Sequence, residues 1–312
     1  MSKVFLSGIL PYNFGFHKLH PGATEIIFGD MFDDEVDDLP KHVRKVKFGI
    51  CFNSPIKHLP EELRELDLSD SIYFNRCVDN LPSKLEKIFF GHDFNKYVDN
   101  LPPNVREIFF SHNFDQTVDN LPPNLKILRF GCHFDQSVEC LPSKLEILEF
   151  GSYFNLHVNN LPASVRSLVL GNRFNKPVDN LPPNVEYLEF GRDFNQSVDK
   201  LPVNLKHLVF SNIGVFNKSI DKLPKKLESL VLGSNFDKEI DNIPDSVKHL
   251  QFQNCYNKKV NKLPKELEVL KIPSRCDIAQ NFKDLKNKHG FKIEKYQLVY
   301  SCQDDMYDYL DM

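Results

Sequence analysis

The sequence predicts a repeat solenoid in which a single parallel β-sheet runs along the array, with one short strand in each coil of 20–22 residues. Three observations predict it. The dipeptide Leu-Pro recurs at a nearly fixed spacing, an alternating apolar pair with strand periodicity follows it each time, and Phe is concentrated in two positions of the unit. One such unit cannot bury its apolar side alone, so it must stack on copies of itself.

The Leu-Pro dipeptide marks the coils. Its spacing is 20 residues apart from two steps of 22, and Ile243-Pro244 takes its place once. In both longer steps the extra residues fall after the strand, between Leu68 and Phe74 and between Phe210 and Phe216. The Leu residues of the dipeptide are Leu39, Leu59, Leu81, Leu101, Leu121, Leu141, Leu161, Leu181, Leu201, Leu223 and Leu263.

Each unit begins with an aromatic residue followed by Asn or Asp, and ends with a strand. In the strand, pairs such as Ile88 and Phe90 have the period-2 spacing that points both side chains inward. Weaker copies precede the first full unit, and Val4 and Leu6 predict one more strand. The twelve full units start at Phe32, Phe52, Phe74, Phe94, Phe114, Phe134, Phe154, Phe174, Phe194, Phe216, Phe236 and Tyr256.

Twenty of the 27 Phe fall in two positions of the unit, eleven at its start and nine in its strand, which predicts two stacked aromatic ladders in the core. A charge pattern supports the same register, because signs alternate through eight consecutive coils at the residue before each strand region. Stacked side chains of opposite sign attract weakly. The alternating residues are Lys126, Glu146, Arg166, Glu186, Lys206, Glu228, Lys248 and Glu268.

The Asn or Asp that follows the aromatic residue is present in all twelve units. We interpret this row as structural, with side chains that bond backbone groups at a turn inside the coil; a row of ligands for a metal is the alternative. The row is Asp33, Asn53, Asn75, Asn95, Asp115, Asp135, Asn155, Asn175, Asn195, Asn217, Asp237 and Asn257.

A second row is acidic, and its like charges repel at the strand spacing. Asx-turns to the backbone are expected to offset the repulsion. Bound calcium is the alternative, although the glycine-rich nonapeptide of calcium-binding β-rolls is missing. The row is Asp79, Asp99, Asp119, Glu139, Asp179, Asp199, Asp221 and Asp241.

One cluster has residue types that bind transition metals: His92, His112 and Cys132 share a position in adjacent coils, with His133 beside them. Such clusters also arise by chance at variable surface positions. No catalytic triad order, phosphate-binding Gly loop or zinc-protease motif is present in the sequence. We therefore expect no metal site, no cofactor and no catalytic residue, and predict that the chain is not an enzyme.

The net charge, the length of the apolar segments and the cysteine spacing exclude further classes of partner and location. The net charge is −4 and no long basic run exists, so we expect no nucleic-acid partner. The first eleven residues lack an apolar stretch typical of a signal peptide, and no segment is long enough to span a membrane. The seven Cys have irregular spacings, which favours free thiols and an intracellular, cytoplasmic rather than secreted protein.

The outward face of the predicted sheet carries the candidate partner-binding residues. A solvated face should be polar, yet each of eight consecutive coils has one apolar residue there, and contiguous exposed apolar surface marks interaction sites. The alternative is that these side chains are covered or only raise strand propensity. This predicted strip is Phe89, Phe109, Ile127, Ile147, Val169, Tyr187, Val209 and Val231.

The boundaries of the predicted domains follow from the extent of the repeats. The solenoid covers residues 1–273, with a capping coil over 1–31, and an α+β cap over 274–300 should cover its bare end. In that cap Asp277 begins a helix with Phe282 on its apolar face, Gly290 ends it, and a strand follows. Residues 301–312 form an acidic tail that is either frayed or a partner-binding peptide.

The unit resembles the FNIP repeat, a motif similar to leucine-rich repeats and known from social amoebae and large viruses of amoebae. The resemblance is carried by stretches such as 174–178 and 52–56, Phe-Asn-x-Pro-Val or Ile, and by the Leu-Pro segment that follows. It covers roughly residues 12–273, although most units here have 20 residues rather than the usual 22. The resemblance implies a leucine-rich-repeat-like solenoid that binds protein and carries no catalytic residues.

The function predicted from these observations is a non-catalytic scaffold that binds an unidentified protein partner through the predicted strip. Two alternatives remain open. The chain could self-associate as a structural protein of a viral assembly, or it could recognise substrates within a ubiquitin-ligase-type complex. The helical F-box-like segment found in many relatives has no counterpart before the first coil, which weakens the second alternative.

Overall fold

A computed structural model describes residues 2–6, 22–276, 282, 285 and 290–297 of the chain. The chain divides into two compact units. The first comprises Met1–Phe154 with Asn160–Val165, and the second comprises Asn155–Asn159 with Arg166–Met312.

In the first unit, eight strands in the described residues form a parallel sheet in chain order. Equivalent residues of successive coils face each other, as Ile88 faces Ile108. One strand per coil, always at the same place in the repeat, confirms the predicted topology. The strands are β1 (Ser2–Leu6), β2 (Ala23–Phe28), β3 (Lys45–Lys47), β4 (Glu65–Asp67), β5 (Lys87–Phe89), β6 (Glu107–Phe109), β7 (Ile127–Arg129) and β8 (Ile147–Glu149).

The second unit continues the same pattern over its own strands, with Leu188 facing Leu208. Its last described strand lies close to the position predicted for a strand after the array. The strands are β9 (Ser167–Leu170), β10 (Tyr187–Phe190), β11 (His207–Phe210), β12 (Ser229–Leu232), β13 (His249–Phe252), β14 (Val269–Pro273) and β15 (Lys292–Tyr296).

The Leu-Pro dipeptide forms the corner that leads into each strand. The Pro carbonyl accepts a hydrogen bond from the backbone N–H three residues on, as Val105 donates to Pro102 at 3.1 Å and Leu125 to Pro122 at 3.1 Å. This is the hydrogen bond of a β-turn. Because the turn recurs in coil after coil, it sets the strand that follows at a constant distance along the chain.

The interior contains the two predicted aromatic ladders. In the first unit the ring centroids of Phe94 and Phe114 are 6.1 Å apart, as are those of Phe114 and Phe134. The strand Phe residues form the second ladder, with 5.7 Å between the centroids of Phe110 and Phe130. Where both positions hold Phe, the two rings of a coil also stack on each other, as Phe110 lies 3.6 Å from Phe114. The second unit repeats this arrangement, with 6.2 Å between the corresponding rings of Phe174 and Phe194.

Glycine follows the strand in many coils because adjacent backbones approach closely there. A Cβ atom on Gly151 would lie 2.0 Å from the carbonyl oxygen of Gly131, and one on Gly131 would lie 1.5 Å from that of Ser111. Both contacts are with backbone atoms, which cannot rotate away. Where Ser occupies the position, as at Ser111, the coil already accommodates a Cβ.

We expect Gly151→Ala to lower the free energy of unfolding by about 1–3 kcal/mol, because the added methyl forces the two coils apart. Ser111→Ala is the matched control, since it leaves a Cβ in place at the equivalent position and should stay within about 0.5 kcal/mol of the native chain. Urea unfolding followed by circular dichroism measures both values. Equal stability of the two variants would show that the coils are not in close contact there.

Only part of each predicted cap lies within the described residues. Phe282 and Leu285 are helical, and Phe282 is buried, but the rest of the predicted helix lies outside the described residues. The same holds for residues 7–21 of the N-terminal capping coil and for the acidic tail over 301–312. Strand β15 pairs in parallel with β14, with Ile293 facing Leu270.

The expectation that all cysteines are free thiols is wrong. Cys255 and Cys276 form a disulfide, with their Cα atoms 5.1 Å apart. Their separation of 21 residues is one coil plus one residue, so stacking of the coils brings the two side chains together. Counted along the chain the spacing of the cysteines is irregular, and the pairing appears only between stacked coils.

Candidate interaction surface

The outward face of the sheet is formed by the first and third residues of each three-residue strand and by their equivalents in the longer strands. The middle residue points inward, and Ile88 and Leu128 are fully buried there. All eight residues of the predicted strip lie on the outward face, and all are partly exposed. They are therefore neither covered by the fold nor fully open to solvent.

In the first unit the strip contains an aromatic pair. Phe89 and Phe109 face each other on adjacent strands and stack with their ring centroids 4.5 Å apart. The ammonium group of Lys87 lies 4.8 and 5.0 Å from the two centroids, and the guanidinium of Arg129 lies 5.4 Å from that of Phe109. These cation–π contacts place two cations against the rings, and each cation also pairs with a carboxylate, Lys87 with Glu107 and Arg129 with Glu149.

The next two coils of this unit carry their apolar residues at a different point of the strand. Ile127 faces Ile147 at the first position, whereas the aromatic pair occupies the third. The third position here holds Arg129 and Glu149, which form an ion pair at 3.0 Å. The apolar surface therefore shifts sideways between coils and does not follow one straight row.

Towards the N-terminus the same face of the first unit is charged and self-paired. Glu25 lies 3.1 Å from Lys3 and 3.9 Å from Lys45, and Lys45 lies 2.8 Å from Glu65. Hydrogen bonding to Glu65 raises the pKa of Lys45 despite partial burial. On this face, Phe5 and Ile27 form a separate apolar pair on β1 and β2. Strands β3 and β4 present only charged residues there, and they separate this pair from the strip residues on β5–β8.

The second unit has its own group of strip residues. Val209 faces Val231 on strands β11 and β12. Glu189 stands between Val169 and Val209 at the same strand position, and its carboxylate accepts a hydrogen bond from the Tyr187 hydroxyl. The valines thus form an adjacent pair and one separate residue, with the Tyr187 ring at the neighbouring first position.

The predicted alternating charges stack as expected. Lys126 binds Glu146 at 2.8 Å in the first unit, and in the second Glu186 lies 2.7 Å from Arg166 and 2.6 Å from Lys206. Hydrogen bonds from Lys206, and then from Arg166, lower the pKa of the Glu186 carboxyl. The coil register inferred from charge is therefore confirmed at these residues.

The Asn and Asp row is structural, but it does not bond the turn of its own coil. Nine of the side-chain oxygens in this row accept a hydrogen bond from the backbone N–H of the equivalent residue in the next coil. Asn75 accepts from Asn95 at 3.0 Å, and Asn95 accepts from Asp115 at 3.1 Å. In the second unit Asn175 accepts from Asn195 at 3.0 Å. The predicted location inside the coil is wrong at these residues, because the stacked backbone of the next coil supplies the donor.

The acidic row is also bonded between coils. Asp79 accepts a hydrogen bond from the Asn100 amide at 3.1 Å, and Asp199 lies 3.0 Å from the ammonium of Lys222. The donor stands one residue beyond the equivalent acidic position of the next coil. Amide and ammonium donors between the carboxylates, rather than the expected Asx-turns alone, offset the repulsion at these residues.

We expect the protein to lose stability as the pH falls below the usual carboxyl range. The pKa of Asp79 is lowered mainly by the Cys77 thiol, that of Asp221 by the Asn242 amide, and that of Glu186 by Lys206. A folded-state pKa below the unfolded value of about 4 means that stability is full above this value and is lost as these groups protonate. Thermal unfolding at a series of pH values from about 6 to about 2.5 measures the decline. Glu186→Gln should make the fall of the melting temperature with pH slightly less steep. A melting temperature independent of pH would contradict the prediction.

The histidine and cysteine cluster is a stack of rings. His92 and His112 are parallel with centroids 4.6 Å apart, and His112 meets His133 edge-on at 4.4 Å. His92 Nδ1 lies 2.7 Å from Asp93 Oδ1, and His133 Nδ1 lies 3.0 Å from the Asn113 side-chain oxygen. Within the described ranges, no three His, Cys, Asp or Glu residues are grouped so that they could hold a metal ion.

A second apolar surface of the first unit was missed by sequence reasoning. Ile50, Ile72 and Tyr73 lie at the corner after the strand, and their exposed fractions are 38%, 39% and 55%. The signal was the two-residue insertion between Leu68 and Phe74, which carries Ile72 and Tyr73 outward.

In the part of the chain that the structure describes, there is no helix with the length and hydrophobicity needed to cross a bilayer.

Comparison with known proteins supports the repeat assignment. A family model described as FNIP Repeat matches residues 114–153, 154–193, 174–213 and 216–255. The solved structure of CroV588, a circular leucine-rich-repeat protein of a giant virus, has a TM-score of 0.61 and 27% identity, over 90% of this chain and 54% of that chain. YopM from Yersinia enterocolitica has a TM-score of 0.36 and 17% identity, over 81% of this chain and 71% of its own. No curated protein matched the sequence.

The likeness to CroV588 confirms a leucine-rich-repeat-like solenoid with parallel strands. The chain spans about half the length of that protein. Repeat folds of this kind are typical of protein-interaction scaffolds.

Proposed function

The chain carries FNIP repeats, and from this premise we propose that it is a non-catalytic scaffold that binds a protein partner through the outward face of its sheet. The observation that supports the proposal most directly is the partly exposed apolar side chains on strands β5–β8 and β9–β12. Side chains of this kind on a regular, rigid sheet need little reordering on binding, which favours association.

The aromatic pair is the best candidate for the centre of the contact in the first unit. Phe89 and Phe109 are already stacked and flanked by Lys87 and Arg129, so their positions are fixed before a partner arrives. Binding energy is usually concentrated in a few such anchored aromatic residues. Tyr187 is the corresponding aromatic residue in the second unit.

We expect the triple variant Phe109→Ser, Ile127→Ser, Tyr187→Ser to lose at least about tenfold in partner affinity, since each residue contributes on the order of 1 kcal/mol or more. Affinity capture from cytosol, followed by quantitative mass spectrometry, measures which proteins the native chain enriches and the variant does not. Binding of each such protein is then titrated with the purified chains.

The matched control is the double variant Tyr97→Ser, Val203→Ser. These side chains are more exposed, at 63% and 69%, and neither lies on a strand of the sheet. The control should capture the same proteins as the native chain. If the triple variant also does so while its melting temperature is unchanged, the sheet face is not the binding surface. A native chain that sediments as a concentration-dependent oligomer would instead favour self-association.

A further inference from the structure

The disulfide lies at the point where one aromatic ladder of the second unit ends. The ladder runs through Phe236 to Tyr256, whose centroids are 6.4 Å apart. Cys276 stands 20 residues after Tyr256, so it takes the position in the last coil that an aromatic residue takes in the coils before it. Cys276 is 2% exposed, whereas its partner Cys255 is exposed at the corner of the preceding coil.

The other ladder ends on the buried ring of Phe282. Its centroid lies 6.1 Å from that of Phe252, the last strand Phe of the unit. The sulfur bridge therefore takes the place in which the first ladder would continue with an aromatic residue. In the second ladder the buried Ile272 takes the next strand position, and Phe282 contacts Phe252 from outside the regular coils.

The segment around Cys276 also holds strand β15. The Cys276 N–H donates to the Pro273 carbonyl at 3.0 Å, and the Ser274 N–H donates to the Tyr296 carbonyl at 2.7 Å. The Tyr296 hydroxyl donates to the Phe252 carbonyl at 2.8 Å. The Ser274 bond to β15 lies two residues before Cys276, so the position of Cys276 affects how β15 is held.

We propose that the Cys255–Cys276 disulfide is a redox lock, which holds β15 against β14 when it is oxidised and loosens β15 when it is reduced. This proposal does not depend on the proposed binding function of the sheet face. It concerns the end of the array, where an unlocked strand would uncover the hydrogen-bonding edge of β14.

The chemistry is a thiol–disulfide exchange with a dithiol reductant. A reductant thiolate attacks the sulfur of the exposed Cys255, the bond between the two protein sulfurs breaks, and Cys276 leaves as a thiolate that takes up a proton. The second reductant thiolate then displaces Cys255 from the mixed disulfide, and the reductant becomes a disulfide. Two electrons and two protons are transferred to the protein, and an oxidised dithiol of the same class reverses the reaction.

The test uses hydrogen exchange of the intact chain with and without the dithiol reductant dithiothreitol. Reduction is expected to speed exchange of the backbone amides in β15 and of Ser274 at least about tenfold, because their hydrogen bonds open more often. Amides of β10 and β11 should exchange at the same rate in both states. Mass spectrometry of the alkylated protein shows whether Cys255 and Cys276 are the residues that were reduced to thiols.

Variants separate the lock from general damage by the reductant. The double variant Cys255→Ser, Cys276→Ser should exchange fast in β15 under both conditions. Cys140→Ser, which removes an exposed thiol outside the disulfide, should respond to the reductant like the native chain. Exchange in β15 that is equally slow in the oxidised and reduced native chain would overturn the proposal. So would the finding that air-oxidised protein contains no bond between these two sulfurs.

Discussion

We expect Phe114→Ala to lower the free energy of unfolding by about 3–5 kcal/mol, the largest effect of any single substitution considered. Phe114 is fully buried and stacks on three rings, with centroid distances of 6.1 Å to Phe94, 3.6 Å to Phe110 and 6.1 Å to Phe134. Removal of the ring leaves a cavity that crosses both ladders. Backbone hydrogen bonds between the coils prevent the neighbours from closing it.

Chemical denaturation measures this loss, and hydrogen exchange locates it. In a solenoid each coil contacts only its neighbours, so faster exchange should centre on the coils of Phe94, Phe114 and Phe134. The matched control is Phe5→Ala, which removes the same ring from a side chain that is 65% exposed and should change stability by no more than about 0.5 kcal/mol. A loss below about 1 kcal/mol for Phe114→Ala would mean that the ladders are not continuous.

Most of the fold could be predicted because the sequence repeats its local pattern twelve times. Ile88 alone is compatible with a strand or a helix, but the same alternation at Ile108 and Leu128 leaves only a short strand in every coil. The two ladders followed in the same way, since Phe at equivalent positions of stacked coils must meet. The strands, the ladders and the charge register were therefore predictable together, from one period.

The hydrogen bonds of the Asn and Asp row could not be assigned from the sequence. An amide at Asn95 can bond its own turn or the adjacent coil, and both choices give the same invariant row. The decision depends on how closely the coils approach, which is a property of the stacked backbone. The same distance explains the glycines after the strand, where Gly151 faces the carbonyl of Gly131 at a position with no room for a side chain.

To predict the apolar surface and the disulfide, one must know which residues are neighbours between stacked coils. The eight apolar positions of the strip were identified, but their division between two strand positions appears only when Phe109 and Ile127 are placed side by side. Cys255 and Cys276 differ by one coil plus one residue, a diagonal relation that a vertical comparison of coils does not show. Irregular features of a repeat are thus harder to predict than its regular ones.

We expect Asn95→Leu to lower the free energy of unfolding by about 2–4 kcal/mol, because two donors lose their acceptor at once. The Asn95 side-chain oxygen accepts from the Asp115 N–H at 3.1 Å and from the Gln116 amide at 2.8 Å. Leucine has a similar size but no polar atom. The Asp115 N–H is then left without its acceptor in a partly buried place between two coils.

Asn95→Asp is the matched control, because it keeps an oxygen at the same point and because Asp115 fills the same position of the next coil, where it accepts from Asp135 at 3.0 Å. We expect this variant to stay within about 0.5 kcal/mol of the native chain at neutral pH. Denaturant unfolding of the three chains compares them directly. If both variants lose the same stability, packing and not hydrogen bonding explains the row. If only Asn95→Leu loses stability, the row acts as a continuous series of acceptors that fixes the distance from each coil to the next.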